Sequence, residues 1–509
     1  MKLFKNKKKK KVPPLQKDTA ISNANHPAKD FEELFRKFKA SDDFISFQYP
    51  TDGAFTVSYF KSIVSPDQIH KEILPVMTTQ HPSTLEEVKK GIPVETIKIS
   101  NDLKTIQSLA MAGAVIIQID TDNGHCLLVP SASTEKRKIA IPETEYTVLG
   151  PKEAFVESID VNINLIRKRL PVPELQVREI KVGEISQTRV GILYIDGIAN
   201  QENIDTVIQR ISEIEYDIIA DSSFIAQMIA DNHNSVFPQF IDTERPDRTA
   251  SVLAEGKVAI IVDGSPHVLN GPTTIGNFFS AFEDYFVTWH LATSIRLLRL
   301  LAVLFSILST SMYVAVITYH YQAIPEALLP TLIASRGAVP FPPLMEALLL
   351  EGTIELLREA GARLPTKVGQ TIGIVGGIVI GTAAVEAGFV SNVLLMLVAL
   401  AALASFTTPI YQMSNTLRII RFSFLFAAQL YGLLGVAICS AFFLNHLLKL
   451  TSLGRPYLEP IYPLRLKDLK DSFVRLSFTK QKQRPIFLRP EYSTKLPPKQ
   501  KAVPKDIDE

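Results

Sequence analysis

The chain is 509 residues long, 46% hydrophobic and 21% charged, with a net charge of +2. Its charges are unevenly spread: residues 297–450 carry 14 Asp, Glu, Lys or Arg, whereas the rest of the chain carries 92. A water-facing domain needs roughly a quarter of its residues charged, so this distribution excludes a single soluble globule, a disordered chain and a collagen-like fibre. The pattern predicts a soluble α/β N-terminal region of two subdomains, then an α-helical polytopic membrane domain and a polar tail.

The first eleven residues hold seven lysines, Lys2, Lys5 and Lys7 to Lys11. Val12-Pro13-Pro14 follows where a signal peptide would have its apolar core, so no leader is expected. Residues 1–29 are read as a basic disordered arm that solvent surrounds or that rests on anionic lipid. The rest of the N-terminal half is not basic, so no nucleic-acid partner is expected. Cys126 and Cys439 fit neither a disulfide framework nor a metal site.

Residues 30–145 read as a first cytosolic α/β subdomain. A helix is expected over 31–38 and a strand over 54–64. Ser65-Pro66 gives a helix start, and apolar strands at 114–119 and 125–129 flank an Asp122-Asn123-Gly124 turn. Residues 146–285 read as a second subdomain. Its expected elements are a helix over 151–170, a strand over 189–195, a helix over 200–213, a short helix 249–255 closed by Gly256, and a strand over 258–262.

Residues 286–450 form the expected membrane domain, with spans at about 299–320, 368–388, 391–412 and 422–447. Segment 321–367 has five prolines at 325–343 and charges at Glu351, Glu355, Arg358 and Glu359, so it is read as re-entrant or interfacial. Arg418 and Arg421 fall in an expected loop. Residues 451–509, with 13 Lys or Arg against 7 Asp or Glu, form a basic cytosolic tail. Basic termini at both ends predict an even number of spans, with both ends inside.

Gly369, Gly373, Gly377 and Gly381 recur every fourth residue, leaving one helix face nearly without side chains. Such a face allows close helix packing, within a subunit or between subunits, or a smooth pore wall. Glu386 is the intramembrane polar candidate, with a hydrated helix end as the plainer reading.

No catalytic or metal-binding signature is present. Asp120 and Asp122 are read as turn residues, and Thr243-Glu244-Arg245-Pro246-Asp247 as loop architecture rather than an anion site. The chain is expected to be neither an enzyme nor a cofactor binder.

GPKEAFVES (150–158), ILYIDGIAN (192–200), FPQFIDTERPDR (237–248), LAEGKVAIIVDGSP (253–266), VPFPPLMEALLLE (339–351), LLREAGARLPTKVGQTIGIVGGIVIG (356–381) and GRPYLEP (454–460) together resemble the spore germination A-subunit (GerA) family. The resemblance covers roughly 40–465. It implies a subunit of a nutrient germinant receptor in the inner spore membrane of an endospore-forming bacterium. The implied partners are a transporter-like B subunit, a lipoprotein C subunit, membrane lipid and further copies of the chain in a ring. The implied activity is a ligand-gated ion channel. The alternatives are a secondary transporter, or a membrane scaffold subunit without its own conduction.

Overall fold

The computed structural model describes residues 30–495, apart from 51–54, 80–81, 83, 95, 120–124, 134–141, 143–144, 146, 148, 364–376, 378, 466–473, 479–480 and 482. The expected Asp122-Asn123-Gly124 turn therefore lies outside the described residues, as do Gly369 and Gly373.

The first helix, α1 (Phe31–Lys39), buries Leu34, Phe35 and Phe38. Its acids sit in the first turn and its bases in the last, which suits the helix dipole. It leads into a five-stranded antiparallel sheet of order β1-β2-β4-β5-β3. The strands are β1 (Phe44–Tyr49), β2 (Phe55–Phe60), β3 (Lys98–Ser100), β4 (Ala114–Gln118) and β5 (Cys126–Pro130). Ser65 is extended and Pro66 opens a helical stretch, as expected.

The second unit repeats the theme. Its sheet runs β6-β7-β9-β10-β8, again antiparallel. The strands are β6 (Leu175–Val182), β7 (Thr188–Ile195), β8 (Ile241–Thr243), β9 (Val258–Val262) and β10 (Val268–Gly271). Both faces are covered, which explains the unbroken apolar run of β9. Ala259 and Ile261 join a core with Ile159, Ile163 and Leu253. Val258, Ile260 and Val262 join another with Ile204, Val207 and Ile225. The covering helices are α2 (Ile159–Arg169) and α5 (Pro246–Glu255) on one face, α3 (Gln201–Ser212) and α4 (Ser222–Met228) on the other. Gly256 ends α5 with φ of 102°, a left-handed position that favours glycine. The helix expected over 151–170 begins only at Ile159, because 151–158 runs extended against Glu244, whose carbonyl accepts from Phe155 N.

Two helices among the described residues are long and apolar enough to cross a membrane: α6 (Trp289–Tyr319) and α9 (Tyr411–Lys449). Between them lie α7 (Pro343–Arg363) and α8 (Asn392–Ser405). The apolar run 391–412, expected as one span, is divided. Its 14-residue helix α8 reaches about 21 Å at 1.5 Å per residue, short of a hydrocarbon core of about 30 Å. Arg418 and Arg421, expected in a loop, are buried within α9.

Helix α9 is not one straight rod but a hairpin, so the expected single span 422–447 is divided between two arms. Gly432 leaves helical geometry at φ 59°, ψ −139°. The Phe424 and Phe443 rings stack at 5.8 Å. A straight helix would separate residues 19 apart by about 28 Å. Both arms return to the same loop of the second unit: Thr416 Oγ1 donates to the Val236 carbonyl at 2.6 Å, and Ser235 Oγ meets His446 Nε2 at 2.9 Å. At the tip, Tyr319 Oη caps the Gln429 carbonyl at 2.7 Å, so the end of α6 lies beside the turn.

The tail packs on the second unit instead of standing free. Leu453 enters its core, and Arg455 hydrogen-bonds Asn203 and Asn200 and pairs with Glu202. Arg484 Nε donates to the Ala254 carbonyl, and Lys495 pairs with Glu255. The second unit and the tail therefore lie at the same end of the helical block.

Candidate functional site in the helical block

Helix α7 and the first arm of α9 run antiparallel, and their charges meet in register. Glu351 and Glu355 are four residues apart on α7, and Arg418 and Arg421 three apart on α9, so each pair lies on one helix face. Arg421 Nη1 reaches Glu351 Oε2 at 2.6 Å, and Arg418 Nη1 reaches Glu355 Oε1 at 2.7 Å. Glu351 and Arg421 are only 3% and 4% exposed.

Helix α6 completes the inner pair. Thr310 Oγ1 donates to Glu351 Oε1 at 3.0 Å, and Arg421 Nη2 donates to Ser306 Oγ at 2.8 Å. Ser306 and Thr310 are four apart on one face of α6. A carboxylate and a guanidinium buried among apolar helices are costly unless paired and hydrogen-bonded; here both Glu351 oxygens and both Arg421 Nη atoms are engaged, while Arg421 Nε has no partner among the described residues. Three helices are thereby tied at one level.

Polar links continue along the block. Arg358 lies 3.9 Å from Glu355, donates to Ser405 Oγ at 3.4 Å, and stacks over the Phe406 ring at 4.7 Å. At the other end of α7, the fully buried Glu346 accepts from Ser391 N at 3.1 Å and Ser391 Oγ at 2.9 Å. Its other oxygen lies 3.4 Å from Arg336 Nε. Glu346 thus caps the start of α8.

The residues singled out from sequence fall elsewhere. Among the described residues, a Cβ at Gly377 would meet nothing within 4 Å, and one at Gly381 would touch only Leu395, at 3.7 Å. Where described, the ladder is therefore not in close backbone contact within the protomer. Glu386 is exposed near the end of the helical residues 379–386. The charges that come together are ones the sequence reading gave to a loop (Arg418, Arg421) or an interfacial helix (Glu351, Glu355). The matched spacings, four on one apolar segment and three on another, were the available signal.

The charged loop 243–247 is architectural. Buried Arg245 pairs with Asp247 at 2.7 Å and hydrogen-bonds Thr147; Arg248 pairs with Glu145 at 2.6 Å. These contacts pin the linker between the two units to α5. Next to the loop, Asp242 lies 3.5 Å from Gln412 on α9. Burial pushes its carboxyl up, as do the carboxylates of Asp221, Glu145 and Glu244, against a lowering effect of His267, to about 6.

Comparison with known proteins identifies the lineage. The family model described as "Bacillus/Clostridium GerA spore germination protein" matches residues 32–487. The chain belongs to the GerA family. It is 51% identical over 462 residues to spore germination protein GerQA of Bacillus cereus, covering 91% of this chain and 93% of that protein. It is 40% identical to spore germination protein A1 of Bacillus subtilis (strain 168), covering 86% of this chain and 92% of that one. The crystal structure of the N-terminal domain of the A subunit of the Bacillus megaterium spore germinant receptor GerK3 is similar at 26% identity and a TM-score of 0.36, covering 47% of this chain and 92% of that one.

Proposed function

We propose that this GerA-family chain is the membrane subunit of a nutrient germinant receptor that triggers spore germination, and that copies of it assemble as a ring enclosing a gated ion path. The observation that carries this reading is the buried Glu351–Arg421 pair. Buried ion pairs in membrane segments are rare and mark function or switching more often than stability. This one ties three helices together, and one of them is a hairpin whose two arms end on a loop of the second α/β unit. Movement of that unit therefore has a mechanical route to the charged core of the block.

In this reading the arm 1–29, the subdomains 30–145 and 146–285, and the tail 451–509 face the cytoplasm or spore core. The block 286–450 sits in the inner spore membrane. A transporter-like B subunit and a lipoprotein C subunit are the partners, and the glycine face meets a neighbouring copy.

Gly377→Leu tests the ring. A Cβ at Gly377 meets none of the described residues, so the variant is expected to fold and reach the membrane but to migrate as a protomer instead of an assembly after mild detergent extraction. Normal assembly of this variant would remove the glycine face from the interface.

A further inference from the structure

A cavity of roughly 1060 Å³ opens where the second unit meets α9, lined in part by Glu213, Glu215, Tyr216, Phe224, Gln412 and Asn415. Its rim is acidic. Residues 183–187 and 211–221, which pair through Glu184 N to the Tyr216 carbonyl and Ile185 N to the Asp217 carbonyl, contain five carboxylates and no Lys or Arg. Glu184, Glu213, Glu215 and Asp217 are exposed, and no ion pair engages them among the described residues. The same edge exposes apolar side chains: Ile185 at 71%, Ile218 at 51% and Tyr216 at 48%. Within the cavity, Asn415 Oδ1 is a buried acceptor with no donor among the described residues. The surface is thus rich in acceptors and partly aromatic, and Arg210, which also lines the cavity, is held by Asp231; such a surface suits a donor-rich cationic chain with apolar stems.

The chain carries such a segment. Seven of its first eleven residues are lysines and none is acidic. Reach is sufficient. The 19 residues from Lys11 to Asp30 span up to about 60 Å when extended. Helix α1 is fixed near the start of β6 by the Lys37–Glu174 pair, and Gly183 follows the far end of that eight-residue strand, about 27 Å away.

We infer that the lysine-rich arm docks on its own chain's acidic edge, at residues 183–187 and 211–221, with lysine side chains entering the cavity against α9. The arm would then brace the junction that couples the second unit to the hairpin. Attraction between exposed charges is screened over about 10 Å at 0.1 M salt, so docking weakens as salt rises.

The test uses the full-length protein in nanodiscs of phosphatidylcholine alone, with a fluorescent unnatural side chain at position 9 or, as a control, at position 505. The expected result is high anisotropy at position 9 in low salt. It should be lost in the double variant E213Q/E215Q and lost in high salt, with position 505 unaffected. Both glutamates are exposed, so the variant's thermal unfolding should match the parent's. Three results would overturn the inference. One is a freely rotating label at position 9 in neutral lipid that is held only when phosphatidylglycerol is added. The second is anisotropy indifferent to E213Q/E215Q. The third is release of position 505 in place of position 9.

Discussion

Arg167 of α2 grips Asp43 of the first unit with two parallel hydrogen bonds, Nε to Oδ2 at 2.7 Å and Nη2 to Oδ1 at 2.6 Å, and both residues are 1% exposed. Ser41 and Ser62 donate to the same carboxylate, and the guanidinium lies 4.5 Å over the Phe60 ring. Burial pushes the Asp43 carboxyl up, but the Arg167 charge and these hydrogen bonds outweigh it, so the group lies below the usual carboxylate range. Two α/β units, each with its own sheet, are joined through this pair and its flanks, Lys37–Glu174 and Asp42–Arg178.

Arg167→Ala leaves Asp43 buried and unpaired. The expected loss is about 3–5 kcal/mol, localised at the contact between the units. Amide hydrogen exchange on the full chain should show deprotection of 41–44 and 175–178, with the core of β9 still slow. The pH sense follows from the lowered carboxyl. The parent keeps the pair's contribution above the unfolded carboxyl value of about 3.9 and loses it as pH falls through the folded value.

This interface was not legible in the sequence, and the reason is physical. Asp43 and Arg167 are 124 residues apart, and neither lies in a motif. Local signals did better: Pro66 after Ser65, Gly256 closing α5 and the apolar run of β9 were read from neighbouring residues alone. Strands β1 and β6 were missed because Phe44–Tyr49 alternates weakly and Arg178, Glu179 and Lys181 make β6 look like a surface loop. In the helical block, hydropathy found the apolar runs but could not place Arg418 and Arg421. A charge buried by a partner on another helix has the same local composition as a charge in a loop. The hairpin was hidden for a similar reason. One glycine with unusual φ and ψ reverses the chain, and nothing around Gly432 marks it apart from the other glycines of the apolar helices.

Glu351→Ala and Arg421→Ala each strand a buried charge. Each is expected to destabilise the block by about 3–5 kcal/mol, whereas the double variant Glu351→Leu/Arg421→Met should lie close to the parent. Thermal unfolding in detergent measures this. Additive losses in the double variant would mean that the two side chains do not act as a pair.

A Cβ on Gly435 would fall 1.9 Å from the Ala427 carbonyl oxygen, which is backbone and cannot turn aside. Gly435→Ala should therefore open the hairpin, while Gly352→Ala on α7, where the space is empty, should be neutral or slightly stabilising. Cross-linking between positions 424 and 443 reports the hairpin directly. It should be lost in Gly435→Ala and retained in Gly352→Ala.

Asp242 carries the opposite pH sense to Asp43. Its folded value of about 6 exceeds that of the unfolded chain, so ionisation favours unfolding. The parent should lose stability as pH rises from about 4 to above 6, and Asp242→Asn should remove that component and be more stable at pH 7. Unfolding midpoints of both proteins across this range decide the matter, and parallel curves would contradict it.

The most direct test of the central claim is electrical. Purified full-length protein is reconstituted into a planar bilayer with an ion gradient, alone and with the proposed B and C subunits. The account predicts discrete ion-selective current steps that are altered in Glu351→Leu/Arg421→Met and absent in Gly377→Leu. Solute uptake without current steps, or a silent bilayer containing intact assemblies, would contradict it.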